Sequence, residues 1–120
     1  MKYPKIEFEP AMGIGPKIKV TGYLVAPGLV VQRTIWENGH KKDWGITHLP
    51  SGWALGRYYP GYKIAIEVAG RLAQLGDWTQ TKEVLMKDEK LYSQVKTILA
   101  QFREREYRKR YVGRDATSQV

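Results

Sequence analysis

Hydrophobic and polar residues alternate with a period of two through most of the first half of the chain. Segment 17–25 alternates lysine, threonine and tyrosine with isoleucine, valine, glycine and leucine, a pattern typical of a half-buried strand with one dry and one basic face. Segment 29–37 is rich in β-branched residues and is predicted to pair back antiparallel through a Pro-Gly turn. Segment 5–9 alternates briefly, which predicts an edge strand with Ile6 and Phe8 facing inward.

The stretch 44–59 predicts the central hairpin, and the Asn-Gly dipeptide at 38–39 predicts a turn before it. Its own turn is Leu-Pro-Ser-Gly at 49–52, where proline, serine and glycine each favour a turn conformation. The predicted cross-strand pairs share one bulky face and are His48 with Trp53, Ile46 with Leu55, and Trp44 with Arg57. This face needs a cover, which the following segments are expected to supply.

After the central hairpin the apolar spacing changes to three and four residues. This spacing predicts an amphipathic helix over 62–75, ended by Gly76. A longer helix is predicted over about 82–111, with Thr79 or Thr81 as its N-cap. The predicted fold class is therefore α+β: an antiparallel meander of four to five strands followed by two C-terminal helices, the second long and basic at its end.

Length and composition indicate one domain, predicted over 1–113 with a polar tail over 114–120. The 120 residues include no cysteine, which excludes disulfides, thiolate zinc sites, iron–sulfur clusters and cysteine nucleophiles. No apolar run approaches the roughly 20 residues of a membrane span, and the N-terminus lacks the apolar core of a signal peptide. We therefore expect a soluble, cytoplasmic protein without a membrane partner.

A net charge of +8 is the strongest global indication of function. Excess lysine and arginine favours polyanions through counterion release, so we expect a small, basic, non-enzymatic protein that binds nucleic acid mainly through the phosphate backbone. The predicted contacts on the sheet side are Lys17, Lys19, Arg33, Lys41, Lys42 and Arg57. Those on the C-terminal helix are Arg103, Arg105, Arg108, Lys109 and Arg110. For the helix, a solvated end with cations near the negative pole of the helix dipole is an equally open interpretation.

A second hypothesis is a small protein-binding regulator or inhibitor that docks on a component of transcription or replication machinery. Its basic charge would complement an acidic protein surface. Val84 begins an apolar stripe on the second helix, and the apolar anchor would be the part of that stripe with a spacing close to 3.5: Leu91, Val95, Ile98 and Phe102. The same stripe would allow a homo-oligomer.

Aromatic residues gather along the predicted sheet and leave two interpretations open. They are Tyr23, Trp36, Trp44, Trp53, Tyr58, Tyr59 and Tyr62. Exposed rings beside lysines would stack on unpaired bases, whereas buried rings would serve core and cross-strand packing.

Catalytic chemistry has little support in the sequence. His48 lies near Ser51, but no carboxylate close in sequence completes a triad, so a histidine that bonds the loop backbone is the favoured interpretation. With only His40 and His48 in the chain, no metal site is expected, and no cofactor is predicted.

Overall fold

Five strands and three helices make up the described part of the chain. The computed structural model describes residues 3–11, 18–33 and 43–107, apart from the side chains of 57, 58 and 103–107. The strands are β1 (Lys5–Phe8), β2 (Val20–Ala26), β3 (Leu29–Arg33), β4 (Trp44–His48) and β5 (Ala54–Tyr59). The helices are α1 (Tyr62–Ala73), α2 (Lys82–Lys87) and α3 (Glu89–Tyr107). Each strand pairs antiparallel with the next in sequence, which confirms the α+β meander with β1 at an edge.

One face of the sheet is covered by α1, which packs against β2, β3 and β4. Val31 and Ile46 lie opposite each other on this face and are completely buried with Ala65, Val68 and Leu72 of α1. Alanine and valine on the inner side of α1 let the helix approach the sheet closely. Burial of each large aliphatic side chain here stabilises the fold by about 1.5–3 kcal/mol.

The opposite face is also buried because the sheet curls. Ala11, just beyond β1, donates its main-chain N–H to the oxygen of Gly52 in the β4–β5 turn at 2.7 Å. In a flat sheet β1 and β4 would lie about 14 Å apart, so this bond requires strong curvature. Inside the curl, Thr47 Oγ1 donates to Gln32 Oε1 at 3.0 Å.

The prediction that β2 presents a wet, basic face holds only at the start of the strand, where Lys19 and Thr21 are exposed. Tyr23 pairs with Val31 on the α1 side and is half-buried. On the predicted dry face Gly22 is buried, whereas Ile18 precedes the strand and is exposed. Period-2 alternation marks two faces correctly, but it cannot show that a curled sheet with a helix on its back leaves neither face fully open.

The central hairpin has its predicted turn but not its predicted register. The His48 N–H donates to the Trp53 oxygen at 2.9 Å, as a loop at 49–52 requires. Two irregularities then shift the pairing, so that Ile46 lies opposite Gly56 and Trp44 opposite Tyr59, not opposite Leu55 and Arg57. Bulges of this kind each add one residue to one strand. Here they bring the Tyr59 ring over Gly56.

The predicted second helix is two helices, separated at Asp88. The backbone of Asp88 is extended (φ −84°, ψ 95°), and its side chain accepts the Leu91 N–H at 3.0 Å, which begins α3. Thr81 accepts the Val84 N–H, which confirms it as the cap of α2. The break turns Leu85 inward and leaves Val84 half exposed, contrary to the predicted stripe.

Several predictions fall outside the described residues. They are the turn at 38–39, the end of the second strand over 34–37, the helix end over 108–111 and the tail over 114–120.

Candidate functional site

Three turns meet at one end of the sheet. Gly28, in the β2–β3 turn, has a positive φ of 86°, and its oxygen accepts the Leu49 N–H from the β4–β5 turn at 2.8 Å. A Cβ placed on Gly28 would lie 2.1 Å from the main-chain oxygen of Trp78. The connection between α1 and α2 therefore packs directly against position 28, where only glycine fits.

His48 ties this junction together. Its Nε2 faces two carbonyl oxygens, those of Trp78 at 2.9 Å and Gln80 at 3.0 Å. Because carbonyls only accept, Nε2 carries the proton and donates to both. Nδ1 lies 2.7 Å from Ser51 Oγ. When the ring is neutral, the Ser51 hydroxyl donates to Nδ1. Ser51 Oγ also accepts the Trp53 N–H at 3.2 Å.

These bonds match the structural interpretation of His48, with one difference. The two carbonyls that accept from His48 Nε2 belong to the α1–α2 connection and not to the turn of His48. Nearby, the Trp78 Nε1–H donates to the Leu72 oxygen at 2.6 Å, and its ring meets His48 edge to face at 6.2 Å. Trp78 is consequently 4% exposed although it lies in a connecting segment.

An open apolar groove of about 320 Å³ lies over this junction, between the β4–β5 hairpin and helices α2 and α3. We define its floor as His48, Trp78, Leu85 and Leu91, all of them buried. We define its rim as Trp53, Lys82, Met86, Tyr92 and Lys96. Three rim side chains are large, apolar and half exposed: Trp53 at 51%, Met86 at 56% and Tyr92 at 50%.

Both lysines of the rim lie against its aromatic rings. Lys82 Nζ is 3.8 Å from the ring centroid of Trp53, and Lys96 Nζ is 5.2 Å from that of Tyr92, one helical turn away on α3. Such contacts contribute about 0.5–1 kcal/mol at exposed sites. They hold two positive charges at the groove, whose described lining includes no acidic residue.

A second aromatic cluster lies where β2, β4 and α1 meet. The Trp44 ring is 6.3 Å from Tyr23 and 6.0 Å from Tyr62. The guanidinium of Arg33 lies 5.4 Å from the centroid of the Trp44 ring. Of these rings only Tyr62 is exposed, so packing accounts for most of the cluster, while Arg33 and Tyr62 remain accessible.

The predicted cationic contacts are only partly within the described structure. Lys19, just before β2, and Arg33, at the end of β3, are exposed, and Arg57 lies on β5 without a described side chain. Arg103 and Arg105 lie on α3, also without described side chains, and the other predicted cations lie outside the described residues. They are Lys17, Lys41, Lys42, Arg108, Lys109 and Arg110.

The surplus charge is distributed unevenly along the sequence. Residues 3–11, 18–33 and 43–102 contain 10 Lys or Arg and 8 Asp or Glu, a surplus of two. The rest of the chain contains 10 Lys or Arg and only 4 Asp or Glu, a surplus of six. Most of the net positive charge therefore belongs to residues outside these three ranges.

The predicted partner-binding stripe packs largely on its own fold. Leu91 is 6% exposed and Phe102 is 4% exposed, and both belong to the core. Val95 and Ile98 are partly buried against the same core. Leu91 and Phe102 therefore pack within the chain's own fold, where α1 contacts α3, and a partner-binding role for the stripe stays a prediction.

Sequence reasoning did not identify the rim lysines or Met86 and Tyr92. A partial signal was present, since Tyr92 and Lys96 are four residues apart on a helix and such residues are neighbours on its surface. No local pattern relates Lys82 to Trp53, because their contact depends on how α2 is placed beside the hairpin.

No protein-family model, curated protein or solved structure matches the chain. Among the described side chains, no group of three or more histidine, aspartate or glutamate residues is arranged to hold a metal ion. No helix in the described ranges has the length and apolar character needed to cross a membrane.

Proposed function

We propose that the protein is a cytoplasmic, non-enzymatic protein that binds nucleic acid mainly through the phosphate backbone. The uneven charge distribution is the observation that supports this. The rest of the chain carries a surplus of six positive charges, against two within 3–11, 18–33 and 43–102. These three ranges are nearly neutral and would contribute little to phosphate binding.

The C-terminal segment carries the densest part of this charge. Residues 103–114 contain six Arg or Lys against two Glu, and arginine forks match phosphate oxygens. Exposed Arg33 at the end of β3 and exposed Tyr62 at the start of α1 would add a cation and an aromatic ring. Contacts of this type read no base edges, so binding would be tolerant of sequence and strongly dependent on salt.

The test is a titration of the full chain against labelled single- and double-stranded oligonucleotides, followed by fluorescence anisotropy at about 50 mM and about 200 mM salt. The test variant is Arg108→Glu/Lys109→Glu/Arg110→Glu. A matched control, Lys63→Glu/Lys87→Glu/Lys90→Glu, makes the same change in net charge at exposed sites in the body.

We expect affinity to fall at least tenfold between the two salt concentrations, since a few released counterions suffice for that. The C-terminal variant should bind more than tenfold more weakly, and the control less than about threefold. Absence of binding at low salt would refute the proposal. Equal loss in both variants would instead show that net charge alone, and not the C-terminal segment, governs the interaction.

A further inference from the structure

We infer that the groove between the β4–β5 hairpin and helices α2 and α3 binds an acidic, amphipathic segment of a partner protein. One apolar side chain of that segment would enter the groove, and carboxylates on either side would reach Lys82 and Lys96. This site is separate from the proposed nucleic-acid surface, and on α3 its lining includes Leu91, Val95 and Leu99.

The shape of the groove limits what can occupy it. Its volume of about 320 Å³ is at the lower end of the range for ligand sites, roughly 300–1,000 Å³, and it is open along one side. It can accept one or two side chains of an extended or helical segment. Its lining is mainly aliphatic, with Leu85 and Leu91 on the floor beside Leu55, Val95 and Leu99, so the entering side chain is apolar.

The exposed rim indicates a surface made for contact. Trp53, Met86 and Tyr92 each leave about half of their side-chain surface in water, although the chain buries other residues of the same size. Tryptophan, tyrosine and methionine are enriched where proteins meet, and aromatic residues dominate the energetics of such contacts. Met86 is flexible enough to adapt to the residue that enters.

The positive charge of the groove indicates a negatively charged partner. The only charged side chains among the described lining residues are Lys82 and Lys96. Their contacts with Trp53 and Tyr92 fix them beside the opening, where carboxylates would complete a charge pair on each side. The same charge disfavours two other occupants, the chain's own cationic C-terminal segment and a second copy of a chain with net charge +8.

Stacking of nucleic-acid bases fits the groove less well. A base needs an open ring face, and Lys82 Nζ lies 3.8 Å from the centroid of Trp53, so it covers one face of that ring. The aliphatic lining also lacks the hydrogen-bonding groups that would hold a base edge. An acidic peptide uses both features, because its carboxylates meet the lysines and its apolar side chain meets the leucines.

The experiment selects peptides from a displayed random-sequence library on the immobilised full chain. Peptides that are enriched are synthesised with a fluorescent label, and their affinities are measured by anisotropy. We expect them to share an aromatic or aliphatic residue flanked by aspartate or glutamate. Charge reversal by Lys82→Glu/Lys96→Glu should weaken their binding more than tenfold, and Trp53→Ala should do so with the fold intact.

The matched control is Lys63→Glu/Lys90→Glu, which makes the same change in net charge at two exposed lysines outside the groove lining. It should change peptide affinity less than twofold. The inference is overturned if selected peptides carry no acidic residues, if test and control pairs lose affinity equally, or if Lys82→Glu/Lys96→Glu abolishes oligonucleotide binding while leaving peptide binding unchanged. Because the peptide assay contains no nucleic acid, its outcome is independent of the proposal for the C-terminal segment.

Discussion

The floor and the rim of the groove are adjacent in space but differ in how they are held. On the floor, Trp78 and His48 are buried. The Trp78 ring donates to the oxygen of Leu72, and the His48 ring donates to the oxygens of Trp78 and Gln80. On the rim, the side chain of Trp53 is half exposed to water, and its ring contacts the side chain of Lys82. The same residue type, tryptophan, is thus a structural element in one place and an exposed surface in the other.

This difference indicates how folding and binding are divided in the molecule. Removing one member of a buried hydrogen bond is costly, because the polar group that is left has neither its bond nor contact with water. Exposed apolar surface contributes little to the folded state and is available to a partner. We therefore expect substitutions on the floor to change stability and substitutions on the rim to change binding.

The largest expected effect comes from truncating the buried tryptophan. Trp78→Ala should lower the free energy of unfolding by about 3–5 kcal/mol, the usual cost of removing a large core ring. Trp53→Ala, its counterpart on the rim, should change it by about 0.5 kcal/mol or less. Urea unfolding of both variants measures the difference. Similar losses in the two would show that the rim is part of the core.

Gly28 supports the same floor from the β2–β3 turn. Gly28→Ala should cost about 2–3 kcal/mol, because alanine at positive φ is strained and its Cβ would meet the Trp78 oxygen. The matched control is Gly70→Ala in α1, where an added Cβ meets nothing within 4 Å. Since alanine is the better helix former, that variant should gain about 0.5–1 kcal/mol. Thermal unfolding of the pair checks both signs.

His48 connects floor and hairpin through its two ring nitrogens. His48→Phe keeps an aromatic ring beside Trp78 but removes both nitrogens, so the carbonyls of Trp78 and Gln80 lose this donor and Ser51 loses its partner at Nδ1; we expect a loss of about 2 kcal/mol. Ser51→Ala keeps the Nε2 bonds and removes the bond at Nδ1, the acceptor for the Trp53 N–H and the 3.5 Å contact with the His48 oxygen, and should cost about 1 kcal/mol. Chemical denaturation of both variants would show how much the Nε2 bonds contribute beyond those of Ser51; a larger loss in Ser51→Ala would contradict this ranking.

The smallest effect concerns Asp77, at the start of the connection that carries Trp78. The side-chain hydroxyl and the main-chain N–H of Thr79 both donate to Asp77 Oδ1, and they lower the pKa of this carboxyl below its ordinary value of 3.8. A lowered pKa means that the ionised form stabilises the fold above that value and that this contribution is lost as the pH falls through the lowered pKa. Asp77→Asn should therefore be slightly less stable than the wild type near neutral pH, with the gap closing in acid.

Unfolding of both proteins at about pH 7 and about pH 2.5 measures this difference. A gap that widens in acid would reverse the sign expected for a carboxylate stabilised by hydrogen bonds.

Prediction from the sequence succeeded where a short-range pattern sets the outcome. Alternation placed the strands, the change of spacing placed α1, and the turn at 49–52 was correct because Pro, Ser and Gly favour it locally. It failed where contacts between segments far apart in the sequence determine the local structure. The bulges that pair Ile46 with Gly56 lie within a run whose alternation continues unbroken, and the helix break at Asp88 lies within a run of good helix formers.

The candidate site followed the same rule. His48 and Trp53 were noticed from the sequence because they flank a turn, but the bonds from His48 to Trp78 and Gln80 span about thirty residues of chain, a separation that no periodicity reveals. The stripe on α3 was visible from its spacing. Whether it faced the chain's own core or a partner could not be decided until α1 was placed against it.

The amino-acid sequence by itself determined that strands come first and helices follow, the absence of thiol chemistry, and the concentration of positive charge outside 3–11, 18–33 and 43–102. These follow from local propensity, side-chain chemistry and counting. The tertiary structure alone decided the strand register, the curl that buries both sheet faces, and the groove that places Lys82 against Trp53. Those features arise from packing between residues far apart in the chain, and packing depends on the shapes that meet, which no single segment contains.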